Sequence, residues 1–320
     1  MNQLRTLLTK EQYAAFMAAW EELRGGPLPG TSHGPDNVRV RDLSWPERES
    51  TVLHLSGSGV SWILKTAGNT AYSVGREARA REWTGSLQAC GTVARLLWYD
   101  AAAPLALLDY LPGCDVLGSA WEFSPRVYHR AGAALALLHG AGARLDHGFA
   151  KGALTRTRAR IAEIHARAPG GTLPDDLGEK LAEAEDFLAS YRPRGVIVHP
   201  THGDWQARNW LWGEPAGHLR VIDFGRFGWR PAAADLLELH DVWQHYPELE
   251  EAMKRGYREA GGKWPGGERP GGDIASVRCE AGSEGDIARL LRVARGVGHL
   301  WHRATHETQH GSPAEREKHA

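Results

Sequence analysis

The amino-acid sequence predicts an α+β fold in two lobes, a small antiparallel β-sheet followed by a mainly helical part. The chain has 320 residues, which exceeds the size of a typical single core. Short runs with the composition of β-strands are confined to about residues 38–113, and apolar residues spaced by three and four dominate after Gly113. We therefore expect an N-terminal lobe at residues 1–112 and a C-terminal lobe at residues 113–320.

The N-terminal lobe begins with MNQLRTLLTKEQYAAFMAAWEELRGG, which has the pattern of an amphipathic helix. Within residues 38–65 the runs NVRVRDL, STVLHL and VSWILK are separated by Pro, Glu, Ser and Gly, which predicts an antiparallel meander. TAYSVGREARAREWTG carries helix formers and ends at Gly85. GTVARLLWY and LALLDYLPG are then predicted to be two more strands.

The C-terminal lobe contains three clear amphipathic patterns, SPRVYHRAGAALALLHGAG, RTRARIAEIHARA and LGEKLAEAEDFLASY. Short strand-like runs, GVIV, WLW and RVI, interrupt the helical pattern between residues 195 and 222. The Gly- and Pro-rich residues 261–272 predict an exposed loop. The second lobe is therefore expected to be mainly helical.

Composition argues against several classes of protein. The formal net charge is −1 and the pI is about 7.0, which does not favour nucleic acid as a partner. No window approaches the eighteen or so apolar residues of a membrane span, and the N-terminus has no apolar signal core, so we expect a cytoplasmic protein without a membrane partner. The three cysteines are far apart and lack CxxC spacing, which argues against a disulfide framework and a zinc site.

Residues 202–209, HGDWQARN, lie between two apolar runs and are predicted to form a loop that displays reactive groups. If the runs WLW and RVI pair as a hairpin, Asp223 would approach Asp204 and Asn209. Carboxylate and amide oxygens suit Mg²⁺ and suit zinc poorly. In phosphoryl transfer one carboxylate takes the proton of the attacking hydroxyl and other oxygens hold the metal, which fits Asp204 and the pair Asn209 and Asp223. Lys65, at the end of VSWILK, is the candidate cation for the phosphates.

Five motifs occur in a fixed order along the chain: ILK at residues 63–65 with an acid in the next helix, LLDYLPG at 107–113, AGAALALLHG at 131–140, HGD with Asn209 five positions after its aspartate, and IDFGR at 222–226. Together they resemble the aminoglycoside phosphotransferase and choline kinase family, which shares the two-lobed protein-kinase fold. The resemblance spans about residues 38–240. It implies a kinase-like fold and an ATP- or GTP-dependent phosphotransferase that uses Mg²⁺.

The resemblance also implies roles for individual residues. Asp204 corresponds to the catalytic base, and Asn209 and Asp223 correspond to the magnesium ligands. Lys65 corresponds to the residue that binds the α- and β-phosphates of the nucleotide.

Two further assignments concern the nucleotide-binding lobe. Glu77 corresponds to the salt-bridge partner of Lys65, with Glu82 as an alternative that helix register leaves open. Asp109, Tyr110 and Leu111 correspond to the hinge whose backbone binds the adenine base.

The sequence departs from the family pattern at two places. Trp205 and Gln206 follow HGD where the family usually has an aliphatic residue and a histidine or similar polar group, so the acceptor side of the loop is expected to be reshaped. The loop predicted over the phosphates, about residues 44–51, contains no glycine.

The acceptor is expected to be a small molecule, because only 13 residues separate Asn209 from Asp223 and no long segment for docking a peptide follows. Residues 231–251 contain six acids and no Lys or Arg. This stretch is either a solvated helix face or a carboxylate wall for a cationic acceptor, with Glu238 and Asp241 on one helical face. Trp205 and nearby tryptophans are expected to stack on a ring-shaped acceptor.

These observations predict an enzyme that transfers the γ-phosphoryl group of ATP or GTP to a hydroxyl of a small molecule. An antibiotic acceptor would make the protein a resistance enzyme. The alternatives are a metabolic kinase of choline, homoserine or a sugar-like alcohol, and a pseudokinase-like protein that binds ligands without turnover.

Overall fold

A five-stranded antiparallel sheet forms the N-terminal part of the fold, as the sequence predicts. Its strands are β1 (Arg39–Asp42), β2 (Ser50–Gly57), β3 (Val60–Ala67), β4 (Leu96–Asp100) and β5 (Leu105–Asp109). The spatial order is β1-β2-β3-β5-β4. All five predicted strands are confirmed, and β3 lies at the centre between β2 and β5.

The computed structural model describes residues 2–24, 38–44, 50–57, 59–67, 74–167, 175–214, 216–265 and 284–306. Most of the loop predicted over the phosphates, residues 45–49, and most of the predicted loop at 261–272 lie outside these ranges. No helix within them has the length and apolarity needed to cross a membrane.

Two helices, α1 (Asn2–Leu7) and α2 (Lys10–Arg24), precede the sheet where the sequence predicted one. Thr9 and Gln12 exchange hydrogen bonds between their side chains and backbone N–H groups at 3.1 and 3.2 Å. This capping box starts α2 and explains the break between the two helices.

The two faces of β3 have different environments because side chains alternate along a strand. Trp62 and Leu64 pack in one apolar cluster with residues of α1 and α2, and the rings of Trp62 and Trp20 lie 5.4 Å apart. The Lys65 side chain lies on the opposite face of β3 from Trp62 and Leu64. Its cross-strand neighbour Ala106 packs against Val74, the first residue of the next helix. The sheet therefore presents Lys65 on the face away from α1 and α2.

The remaining elements confirm a chain that is mainly helical after the sheet. α3 (Val74–Ala80) lies in the predicted helical segment between β3 and β4, and a second short helix, α4 (Gly85–Ala89), begins where that segment was expected to end. After β5 come β6 (Cys114–Asp115), α5 (Pro125–Gly140), β7 (Arg144–Asp146), α6 (Phe149–Arg167), α7 (Asp175–Ser190), β8 (Val196–Thr201), β9 (Trp210–Gly213), β10 (His218–Val221), β11 (Gly228–Arg230), α8 (His240–His245), α9 (Pro247–Glu259) and α10 (Glu284–His306).

The chain divides into two compact units. The first comprises residues 1–142, 200–229 and 238–263, and the second comprises residues 143–199, 230–237 and 264–320. The first unit contains the five-stranded sheet, α5, α8, α9 and every residue for which a catalytic or nucleotide-binding role was predicted. In the second unit, α10 packs mainly against α6. The lobe boundary predicted after residue 112 stays a prediction.

A second sheet, of order β10-β9-β6, lies in the first unit. β9 and β10 form the predicted hairpin, with Trp210 opposite Val221. Asn209 directly precedes Trp210, and Asp223 lies two residues beyond Val221. The pairing therefore brings the ends of both polar segments to the same end of the hairpin.

Helices α5 and α9 cross in close contact because each has a glycine at the crossing. A Cβ atom on Gly132 would lie 2.0 Å from the backbone oxygen of Met253, and one on Gly256 would lie 1.9 Å from that of His129. Only a residue without a side chain permits this approach of the two backbones.

Candidate active site

Lys65, Glu77 and Asp223 form a charged cluster among β3, α3 and the segment that follows β10. Lys65 Nζ donates to Glu77 Oε2 at 3.0 Å and to Asp223 Oδ1 at 3.4 Å. Glu77 is 1% exposed, whereas Glu82 is exposed and lies beyond the last residue of α3. In the structure, the ion pair of Lys65 is therefore made with Glu77.

Opposing effects set the pKa values of the two acids. Burial alone would raise the pKa of Glu77, but the charges of Lys65 and Arg81 outweigh it and the pKa is lowered. Burial likewise opposes the effect of Lys65 on Asp223, and the pKa of Asp223 is also lowered. Both groups are therefore carboxylates at neutral pH.

Asp223 has a left-handed backbone, with φ of 66° and ψ of 67°. Among the described residues other than glycine, it alone has a positive φ. Such a conformation costs about 1–3 kcal/mol and persists where the surrounding structure enforces it. The Asp223 carboxylate accepts from the Gly225 N–H at 3.4 Å and from Lys65, so the strained residue is held with its side chain in the cluster.

The loop of residues 202–209 is fixed against the segment that carries Asp223. His202 Nε2 donates to the carbonyl oxygen of Ile222 at 2.9 Å, and the Ile222 N–H donates to the carbonyl oxygen of Asn209 at 3.0 Å. Gly203 has φ of 83°, a left-handed conformation that glycine adopts without strain. These contacts hold Asp204 beside Asn209.

The Asp204 side chain is 8% exposed and heavily hydrogen-bonded. Its Oδ2 accepts from Arg208 Nη2 at 2.7 Å and from Asn209 Nδ2 at 3.0 Å, and its Oδ1 accepts from Gln206 Nε2. A carboxylate has about four lone-pair positions, so these bonds leave one position on Oδ1 for a further donor.

The charge of Asp204 is stabilised by its neighbours. Burial would raise its pKa, but the hydrogen bond and charge of Arg208 and the charge of Arg226 lower it below the usual value. Asp204 is therefore ionised at neutral pH and can accept a proton without first losing one.

Asn209 and Asp223 offer oxygen atoms that fit Mg²⁺. Both side-chain hydrogen bonds of Asn209 use Nδ2, to the backbone and side-chain oxygens of Asp204, so its amide oxygen is available as a ligand. The bonds to Asp223 use Oδ1, which leaves its Oδ2. Within the described ranges there is no group of three or more His, Cys, Asp or Glu that could hold a metal. Two protein ligands completed by phosphates and water are the usual set for Mg²⁺.

The backbone N–H groups of the predicted hinge, residues 109–111, differ in whether they are already hydrogen-bonded within the protein. The Asp109 N–H donates to the carbonyl oxygen of Arg95, and the Tyr110 N–H donates to that of Ser61, both at 3.1 Å. No described residue accepts from the Leu111 N–H. Of the three hinge residues, Leu111 is therefore the one whose N–H is available to a ligand.

The structure corrects the expectation that Trp205 contacts the acceptor. Trp205 is fully buried, with its ring 5.6 Å from that of His202 and 6.0 Å from that of Trp210. Trp210 and Trp243 are buried as well. All three rings are covered by the protein, so none of them can stack on a ligand in this structure.

The acidic residues of the stretch 231–251 differ in their exposure and in their ion pairs. Glu238 and Asp241 are exposed; Glu238 lies in a 3₁₀ segment, Ala232–Leu239, and Asp241 lies in α8, which follows it directly, so their place on one helical face stays a prediction. Lys254 Nζ contacts Glu250 at 3.2 Å and Glu251 at 2.8 Å. These two glutamates therefore belong to an ion-pair cluster on α9.

Two site residues, Arg81 and Arg208, were not identified from the sequence. Arg81 Nη2 donates to Glu77 Oε1 at 2.6 Å, and Arg208 pairs with Asp204 as described above. Each arginine follows its acid by four residues, and Glu77 lies in α3, where side chains at that spacing meet. The spacing could therefore have indicated Arg81, whereas Asp204 and Arg208 lie in a loop, where it gives no such signal.

The fold and the site define a protein of the protein-kinase-like class. The model of the phosphotransferase enzyme family matches residues 40–270, which is most of the chain, and the protein therefore belongs to this family. No curated protein sequence matches the chain significantly.

Solved structures show the same fold at low identity. A choline/ethanolamine kinase family protein from Mesorhizobium loti is 18% identical, with 91% of this chain and 86% of that chain covered and a TM-score of 0.53. A macrolide 2'-phosphotransferase type I is 17% identical, with 96% and 95% covered and a TM-score of 0.53. A choline kinase from Cryptosporidium parvum Iowa II is 12% identical, with 89% and 87% covered and a TM-score of 0.53. At these identities the likeness shows the fold alone.

Proposed function

We propose that this protein transfers the γ-phosphoryl group of ATP or GTP to a hydroxyl group of a small molecule, and that the acceptor is an antibiotic. The observation that carries the proposal is the arrangement of two carboxylate groups in one unit of the fold. Asp204 lies beside Asn209, and Asp223 lies beside Lys65. Hydrogen bonds between residues 202, 209 and 222 join the two.

In this proposal Asp204 is the catalytic base. The remaining lone-pair position on its Oδ1 would accept a hydrogen bond from the acceptor hydroxyl and then its proton. The lowered pKa of Asp204 keeps it ionised for this role at neutral pH. The other hydrogen bonds of the carboxylate fix its orientation, so little reorganisation is needed when the acceptor binds.

The nucleotide would be held by Lys65, by the hinge and by Mg²⁺. Lys65 would donate to the α- and β-phosphates, and Glu77 would orient it. Asn209 and Asp223 would hold Mg²⁺, which when bound neutralises the charge of the phosphates. The Leu111 N–H would donate to the base. The reaction would take place in the cytoplasm, where nucleoside triphosphates are present.

The acceptor is proposed to be cationic. Glu238 and Asp241 are both exposed, and both lie in the same unit of the fold as Asp204. Exposed carboxylates raise the local concentration of a cation and steer its approach. An amino sugar or a basic peptide antibiotic has both the cationic groups and the hydroxyl groups that this reaction requires.

A mass-spectrometric screen tests the reaction and the acceptor together. The purified protein with Mg²⁺ and either ATP or GTP is incubated with aminoglycoside, tuberactinomycin, macrolide and nucleoside antibiotics, and with choline, ethanolamine and homoserine. We expect one antibiotic to gain a single phosphate, and expression of the protein to protect susceptible bacteria from it. The Asp204→Asn protein, purified in parallel, controls for contaminating kinases.

Other results of the screen would contradict the proposal. Phosphorylation of choline, ethanolamine or homoserine alone would show a metabolic kinase. Binding of nucleotide without transfer to any acceptor would favour the pseudokinase-like alternative.

The role of the acidic pair is tested by Glu238→Gln and Asp241→Asn. Each change removes an exposed negative charge, so the KM for a cationic acceptor should rise by about twofold to fivefold, and the effect should weaken as salt is added. Glu248→Gln, also exposed and in the first turn of α9, is the matched control. An unchanged KM in both variants at low salt would exclude the acidic pair from acceptor binding.

A further inference from the structure

The proposed reaction does not explain Arg81. Its side chain is 7% exposed, Nη2 donates to Glu77, and the guanidinium carbon lies 5.1 Å from the centre of the Phe224 ring. Nε and Nη1 are buried and have no hydrogen-bond partner among the described residues. Burying a guanidinium with incomplete hydrogen bonding costs stability, so packing alone does not account for an arginine here.

A second contact with the same segment, between two aromatic rings, lies two residues further on. The rings of Trp83 and Trp229 lie 4.9 Å apart at 83° to each other. Gly142 makes room for them, since a Cβ atom there would lie 2.9 Å from Trp229 and 3.0 Å from Trp83. The turn that follows α3 thus contacts both ends of residues 224–229, the segment that directly follows Asp223.

We infer that Arg81 is a positioning residue that couples Glu77 to the 224–229 segment, so that Lys65 and Asp223 are in place before the nucleotide binds. This inference rests on the proposed function, in which Lys65 and Asp223 bind the nucleotide and its metal. Arg81 itself would not touch the nucleotide.

The physical reason lies in how Glu77 divides its two oxygens. Oε2 accepts from Lys65 and Oε1 accepts from Arg81. When Lys65 donates to phosphates, its charge is shared with the nucleotide, and a carboxylate that is 1% exposed needs another cation. Arg81 supplies that cation, and its contact with Phe224 holds the residue next to Asp223.

The inference is tested with Arg81→Met and Arg81→Lys, and with Arg79→Met as the matched control. Methionine retains an apolar stem against Phe224 and removes the ion pair with Glu77. Arg79 lies in the last turn of α3 and is exposed, so its loss changes the charge of the same helix without touching the cluster. The readouts are the Kd of MgATP by calorimetry, the melting temperature, and amide hydrogen exchange of α3 and residues 224–229 without nucleotide.

We expect Arg81→Met to raise the Kd of MgATP by about twofold to thirtyfold, the range for residues that couple to a site without contacting its ligand. Hydrogen exchange in residues 224–229 should become faster even without nucleotide, and Arg81→Lys should lie between Arg81→Met and wild type. Arg79→Met should match wild type in both measurements. A purely structural role would instead lower the melting temperature and leave the Kd of the folded protein unchanged.

A folded Arg81→Met protein with wild-type Kd and wild-type exchange would overturn the inference and leave the proposed function intact. Wild-type protein that binds no MgATP would overturn both. If Arg81→Met does not fold, Arg81→Lys decides the question, because lysine keeps the charge but loses the planar group over Phe224. Unchanged Kd and exchange in that variant would overturn the inference.

Discussion

Replacing Asp204 by asparagine tests the catalytic base with little disturbance of the loop. The amide oxygen of the new side chain can take the place of Oδ2 and accept from Arg208 and Asn209, as the carboxylate does at 2.7 and 3.0 Å. The amide nitrogen would then face Gln206, whose own amide can turn to offer its oxygen. The variant should fold with a melting temperature close to that of the wild type.

The expected loss is in the chemical step. An amide cannot take a proton from the acceptor hydroxyl, and loss of a general base lowers kcat by about 10²- to 10⁴-fold, or about 2.7–5.4 kcal/mol in activation free energy. The hydrogen bonds of Asp204 go to Gln206, Arg208 and Asn209 rather than to Lys65. The Kd of MgATP should therefore change by less than about threefold.

The assay combines steady-state kcat, measured with the acceptor found in the screen, with calorimetry of MgATP binding. Asp186→Asn, an exposed change of the same kind on α7, controls for the loss of one negative charge. A kcat for Asp204→Asn within tenfold of the wild-type value would refute the assignment. A Kd for MgATP weakened as much as kcat would mean that Asp204 acts in nucleotide binding instead.

Two further predictions concern stability. Gly132→Ala would place a Cβ 2.0 Å from a backbone oxygen of α9 and should lower the free energy of unfolding, measured in urea, by about 1–3 kcal/mol. Gly140→Ala in the same helix meets nothing within 4 Å and should be neutral or stabilising by up to about 1 kcal/mol. Equal effects of the two substitutions would contradict the close crossing of α5 and α9. Because the pKa values of Glu77 and Asp223 are lowered in the folded state, their contribution to stability is present above their unfolded pKa values and is lost as pH falls through the folded ones. Lys65→Met should therefore unfold at a higher pH than wild type in an acid titration followed by circular dichroism, and identical acid transitions would exclude the ion pair as the cause.

The sheet and the amphipathic helices were predictable because they are set by local periodicity. β3 shows this most clearly, since alternation along VSWILK buries Trp62 and Leu64 on one side and places Lys65 on the other. The hairpin of β9 and β10 was predictable from two apolar runs separated by a short polar turn. Its pairing then determined that Asn209 and Asp223 approach each other.

Long-range packing could not be predicted from the same patterns. The sequence does not distinguish a tryptophan in the core from one that lines a ligand-binding site, and only the fold shows that Trp205 is covered on every side.

The two arginines that the sequence did not indicate differ in a way that separates their effects. Arg81 and Arg208 each follow a buried carboxylate by four residues, but the Arg81 side chain is 7% exposed and that of Arg208 is 41% exposed. An ion pair in water is worth at most about 1 kcal/mol, whereas removing one partner of a buried pair leaves an uncompensated charge and costs about 3–5 kcal/mol. The Arg208 side chain reaches water and can therefore leave Asp204 at a lower cost than Arg81 can leave Glu77, although Asp204 itself is buried. Arg81 cannot leave Glu77 so easily, which is why the more buried of the two arginines is the one suited to fix the geometry of the site.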